Sequence, residues 1–327
     1  MGAINTTAGP VDDGELGLTL IHEHMRVRSE AVAFQFPHLY DEDREYERAV
    51  TRVGEAMERG VKTICDPTVM EAGRDIRFMS RIAEETGIQL VASTGIYAYH
   101  YVPPHFQYRD ENYMADQFVR DFEVGIQGTE IKPAFLKCCT DHQGVTDDVE
   151  KVLRATARAS NRTGRPIMTH SHPQSGAGLE QMKIFEDEGV DPSRVLIGHT
   201  GDTDSLDYIE ELLSHGPYIG MDRYGLDIIL PTDQRNSTVV ELCRRGYADR
   251  MMLSQDACCT IDWFPEEMVE QMAPNWKMTY VLDEIVPALK EAGVTGEQID
   301  QMMVEAPRRW LSAYPASGAR NPAGCKV

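Results

Sequence analysis

Paired cysteines are missing from this 327-residue chain. Its seven cysteines are Cys65, Cys138, Cys139, Cys243, Cys258, Cys259 and Cys325. None forms a Cys-x-x-Cys pair, which argues against a thiolate zinc site and against a disulfide framework. Buried free thiols are expected instead. Long apolar runs are missing too: nothing approaches about 18 consecutive apolar residues, so no membrane-spanning helix is expected. Met1 to Gly14 has no basic start leading into an apolar stretch and does not read as a signal peptide. The expected compartment is the cytoplasm. Positive charge is scarce: 32 Lys and Arg stand against 53 Asp and Glu, a formal net charge of −21. Such a chain repels phosphate backbones and anionic lipid, so neither nucleic acid nor a membrane surface is an expected partner.

What is present is a regular alternation. Eight short apolar runs read as buried parallel strands at 17–21, 61–65, 89–93, 134–138, 166–169, 195–198, 218–221 and 251–254. Amphipathic stretches follow them at 43–59, 74–86, 115–127, 147–163, 177–188, 205–215, 238–245 and 277–291, nearly all ending at a glycine. Strand then helix, eight times, predicts an α/β fold of the (β/α)8 TIM-barrel type. An open doubly wound sheet would carry a glycine-rich phosphate loop after its first strand, where this chain has His22-Glu23-His24. No repeat or linker interrupts the pattern, so residues 1–327 are assigned to one domain, with 316–327 a loose tail.

In such a barrel, chemistry gathers at the C-terminal ends of the strands. There the chain places His22 and His24 (first strand), Lys137 (fourth), His170 (fifth), His199 (sixth), Asp222, Arg223 and Tyr224 (seventh) and Asp256 (eighth). Residues i and i+2 of a strand share a side, so His22 and His24 can serve one metal while Glu23 faces away. Neutral imidazoles suit zinc and similar ions. Any one histidine alone reads as a packing or surface residue, and Lys137 alone as a strand-end lysine extending to solvent. Their conjunction at strand ends points to a metal-dependent hydrolase.

The stretches GLTLIHEHM, STGIYAYHYVP, FLKC, THSH, IGHTGDTDSLDY, MDRYGLD and LSQDACC resemble the phosphotriesterase family of the amidohydrolase superfamily, and within it the phosphotriesterase-like lactonases. The resemblance runs through nearly the whole chain. It implies two divalent metal ions, zinc first and iron, cobalt or manganese as alternatives. One ion would be held by His22, His24 and Asp256, the other by His170 and His199. Lys137, carboxylated on its amine, would bridge both. Asp256 would shuttle a proton. Tyr97 and Arg223 match positions of the lactonase branch, which implies lactone substrates such as N-acyl-homoserine lactones, a quorum-quenching role, weak phosphotriesterase activity and a homodimer. For Tyr97 the bland alternative is a rim aromatic, and for Arg223 an ion pair with a loop carboxylate.

The segment 258–274 holds Trp263, Phe264 and Met272, expected to line an acyl-chain channel. Core packing of a short helix and a subunit contact are open alternatives for it. Gln255 departs from the histidine of many relatives, His172 is read as an outer residue, and Glu23 has no assigned role. Two other functions compete: a primary phosphotriesterase, which Tyr97 and Arg223 argue against, and a non-catalytic binding barrel, which the complete ligand set argues against.

Overall fold

The computed structural model describes residues 2–98 and 101–312; the tail expected at 316–327 lies outside them. Eight parallel strands form one sheet in chain order. They are β1 (Thr19–Leu20), β2 (Thr63–Asp66), β3 (Gln89–Gly95), β4 (Phe135–Cys139), β5 (Ile167–His170), β6 (Val195–Ile197), β7 (Tyr218–Met221) and β8 (Met251–Leu253). Alternation sorts their side chains. Cys65, Val91, Phe135, Met168, Leu196, Tyr218 and Met252 fill the barrel interior, while neighbours such as Ile64, Leu90, Leu136 and Ile167 face the helices. Two residues beyond an interior position lies the next inward layer: Lys137 follows Phe135, and His170 follows Met168.

The barrel is nearly closed. β1 and β8 do not pair as strands; the seam is bridged just past their ends, at His24 with Cys258 and Val27 with Ile261. The opposite end is plugged by Ile4, Leu16, Trp310 and Leu311. Ile4 belongs to a hairpin (Ala3–Thr6, Gly9–Asp12), which, like the helical segment from Gly296 to Leu311, the strand–helix reading did not assign.

The helix Asp147–Thr163 shows why these stretches fold as expected. Thr146 accepts the N–H of Val149 to cap its start, and Gly164, at φ 71, ends it. Val149, Val152, Leu153, Thr156, Ala157 and Ser160 form its buried stripe. Three expectations need correction. The helix expected at 115–127 is Glu111–Glu123, because Asp110 caps it and the chain leaves at Gly125. The one expected at 238–245 begins at Thr232, directly after Pro231. The one expected at 277–291 opens with a π turn, Val281–Ile285, before Val286–Glu291; Pro287 lacks the N–H that would bond four residues back, and the turn widens. Six cysteines are free and buried, as expected; Cys325 lies outside the described residues.

Candidate metal centre

The structure brings together His22, His24, Lys137, His170, His199 and Asp256, all buried, at the C-terminal mouth of the barrel. His22 and His24 come from the turn after β1 and Asp256 from the turn after β8. His24 Nε2 lies 3.0 Å and His22 Nε2 3.3 Å from Asp256 Oδ1. Across the mouth, His199 Nε2 is 3.0 Å from His170 Nδ1. Lys137 Nζ stands 3.4 Å from His22 Nε2. His199 and Asp256 adopt left-handed backbone, φ 61 and φ 55. That conformation costs a side-chain-bearing residue roughly 1–2 kcal/mol and persists only where the surroundings enforce it.

Each ring is fixed from outside. Asp222, fully buried, accepts His22 Nδ1–H at 2.8 Å on one oxygen and His199 Nδ1–H at 3.0 Å on the other. Asp141 accepts His170 Nε2–H at 2.8 Å, and Thr68 meets His24 Nδ1 at 2.7 Å. These partners turn the remaining ring nitrogens inward. Burial pushes His22, His170 and His199 toward the neutral imidazole, His170 down to about 4. Burial would raise the Asp256 carboxyl, but His22, His24, His199 and Arg223 outweigh it and hold it well below the usual range. His22, His199 and Asp256 alone offer three ligand atoms within 4.8 Å of one another. Lone pairs and carboxylate oxygens this crowded repel one another unless cations sit among them, so the donor set fits divalent metal.

Lys137 is unusual in a different way. Among the described residues no carboxylate pairs with its ammonium, and Nζ finds only His22 and the carbonyl of Thr169, 3.4 Å away. Burial lowers its pKa, against a weaker pull from Asp256 and Asp222. The neutral amine is thereby favoured. Gly95, the β3 residue in register with Lys137, has φ 150, and a Cβ there would stand 1.8 Å from the Lys137 carbonyl oxygen.

A cavity of about 280 Å³ opens onto the cluster. Its floor is His22, His24, His170, His199 and Asp256; its walls include Leu226, Ile228, Ile229, Trp263, Phe264 and Met272. Tyr97 meets His170 Nδ1 through its hydroxyl at 2.9 Å and lies 5.7 Å from Trp263, ring to ring. Arg223 donates to Asp256 Oδ2 at 2.9 Å and to Asp202 at 3.1 Å. Both therefore border cavity and cluster, and Arg223 also makes the ion pair its bland reading foresaw. Phe264 and Met272 are about half exposed, at the cavity mouth. His172 turns toward His142, and the Gln255 amide toward the Met278 carbonyl, so neither enters the cluster. A larger cavity, about 530 Å³, lies behind the same segment against the helix Glu42–Glu58 and touches none of the six clustered residues. Asp141, Thr68 and Asp202 were not singled out in the sequence; Asp222 was seen at a strand end but given no role.

The model of the Phosphotriesterase family matches residues 2–311. The chain belongs to the phosphotriesterase family. It is 50% identical over 304 residues to an aryldialkylphosphatase of Saccharolobus solfataricus, covering 92% of this chain and 97% of that protein. To a phosphotriesterase homology protein of Mycobacterium tuberculosis it is 46% identical over 317 residues, covering 94% and 97%. A solved structure described as the phosphotriesterase from Mycobacterium tuberculosis superposes with a TM-score of 0.93 at 46% identity, over 95% of this chain and 98% of that one. Family and relatives are hydrolases, and the family is one of binuclear metal enzymes, which agrees with the clustered His and Asp side chains.

Proposed function

We propose that this phosphotriesterase-family chain opens the ring of lactones that carry an acyl side chain, N-acyl-homoserine lactones first among them, with weak activity on phosphotriesters. The observation that carries this reading is the apolar cavity ending on Asp256, Tyr97 and Arg223. An acyl chain fits between Leu226, Ile229, Trp263 and Met272, while the lactone head meets the polar floor.

His22, His24 and Asp256 would hold one ion, His170 and His199 the second, and Lys137 both. Zinc is the proposed metal; iron, cobalt or manganese suit the same donors. The lowered pKa of Lys137 supports carboxylation: once deprotonated, its nitrogen adds to the carbon of carbon dioxide, a proton leaves, and the resulting carbamate would offer two oxygens. The chemistry two divalent ions bring to such a site is activation of water at neutral pH and polarisation of the scissile carbonyl. The protein's own part is positional and protonic. Tyr97 donates its hydroxyl hydrogen to the lactone oxygen. Arg223 holds Asp256 in place. Asp256, kept ionised, takes the proton of the attacking water and returns it to the ring oxygen as the acyl C–O bond breaks, giving the hydroxy acid.

A second reading, a primary phosphotriesterase, is favoured by one observation, the 50% identity to an aryldialkylphosphatase. The exposed Phe34, Phe36 and Leu39 support a homodimer, which light scattering on the eluting protein checks. Six free thiols fit a reducing compartment such as the cytoplasm. Chelation followed by zinc or cobalt readdition, assayed across a series of acyl lengths, tests the lactonase reading. Activity should vanish and return with metal, and KM should fall as the acyl chain lengthens. Full activity in the stripped protein, or a KM indifferent to chain length, would sink it.

A further inference from the structure

Glu23 stands between the two histidines and is fully buried, yet its carboxylate faces away from the metal ligands. Oε1 accepts the Ser254 hydroxyl at 2.7 Å and the Gln255 N–H at 2.9 Å; Oε2 accepts the Ala257 N–H at 2.8 Å. The two backbone donors flank Asp256 on either side. Ser254 Oγ also accepts the His22 N–H at 3.1 Å. Asp256 N–H reaches the His22 carbonyl at 3.0 Å, and His24 N–H the Ala257 carbonyl at 2.9 Å. All of this lies at the seam where β1 and β8 do not pair as strands.

We propose that Glu23 is a positioning residue: it clamps the turn 254–257 to the His22–His24 turn and so presents Asp256 to the metal. Both backbone N–H groups beside Asp256 are buried and find their acceptor on Glu23. Without it they lose their partners, and the left-handed conformation of Asp256 loses what enforces it. Glutamine cannot substitute. Its one oxygen serves one side, and its NH2 then opposes a backbone N–H on the other. This role concerns metal retention and holds for a lactone or a phosphotriester substrate alike, so its failure is separable from failure of the lactonase reading.

The test is Glu23→Gln in the metal-loaded full chain, with metal content by elemental analysis and the rate of metal loss to a chelator well below the melting temperature. Outer partners of metal ligands typically change affinity 10–100-fold, so one of two ions should leave about tenfold or more faster than from wild type. The ion assigned to His170 and His199 should stay. A purely packing role lowers the melting temperature of the metal-free protein and leaves chelator kinetics alone. Two retained ions leaving at the wild-type rate would overturn the proposal. Should Glu23→Gln not fold, Ser254→Ala decides on the same readout: faster metal loss supports the clamp, an unchanged rate refutes it.

Discussion

Asp222 joins the two halves of the candidate metal centre, one oxygen to His22 and one to His199. An amide has one acceptor and would set its NH2 against a ring N–H. Asp222→Asn is therefore expected to fold but to lose about 10–100-fold in kcat/KM, with metal content falling in step; steady-state assays alongside elemental analysis check this. Tyr97→Phe removes one hydroxyl and should cost lactone turnover about tenfold, the worth of roughly 1.4 kcal/mol, with its ring packing on Trp263 intact. An unchanged kcat/KM would remove Tyr97 from substrate binding. At this scale the clustered residues were legible, because each stands near the C-terminal end of a strand, within it as Lys137 and His170 do or a few positions past it as His22, His24, His199 and Asp256 do. Asp222 and Asp141 were not legible in their roles. The Asp222–His22 contact joins residues 200 apart, and nothing in the local sequence announces it.

The strands carry the site as a register. Lys137 stands opposite Gly95 on one side and Met168 on the other. Gly95→Ala would thrust a methyl into the Lys137 carbonyl and strain a left-handed backbone position. Overpacking of this kind costs about 1–3 kcal/mol, read as a lower urea midpoint, and the shifted Lys137 should lower metal content as well. Strand limits were legible to within a residue or two, because strands buried on both faces read as short apolar runs bounded by polar or turn residues. Helix limits were legible where glycine ends them, as at Gly87 and Gly164, and misjudged where a cap or a proline decides, as at Asp110 and Pro231. The segment 258–274 was open between lid, core and interface. Its helix Glu266–Met272 buries no residue and is tied down by Glu266 to Arg44 and Arg48. That helix adds no buried residue to the core, while Ile261, Trp263, Phe264, Met268 and Met272 of the segment line the cavity. Met272→Ser is expected to raise KM for long acyl chains and leave short ones near wild type; an equal effect on both would separate Met272 from the acyl site.

Across the whole molecule, the barrel is packed shut at one end and chemically open at the other. A buried chain of charges, Asp256, Arg223, Asp202 and Arg235, runs outward from the centre. Arg235 ends it by donating to the carbonyl of Leu230, beside the cavity-lining Ile228 and Ile229. Removing one partner of a buried pair leaves an uncompensated charge, so Arg235→Met should lower stability by about 3–5 kcal/mol in chemical denaturation. The architecture was legible because eight strand–helix units and a His, Lys or Asp at one strand end after another agree with one topology. The proposed substrate rests on the shape of one apolar wall against a polar floor, and that shape exists only in the folded barrel. The most direct test of the lactonase reading is kcat/KM of the zinc-loaded protein for an N-acyl-homoserine lactone measured beside paraoxon. The cavity and its Tyr97 and Arg223 floor predict the higher value for the lactone; a higher value for the phosphotriester would contradict it.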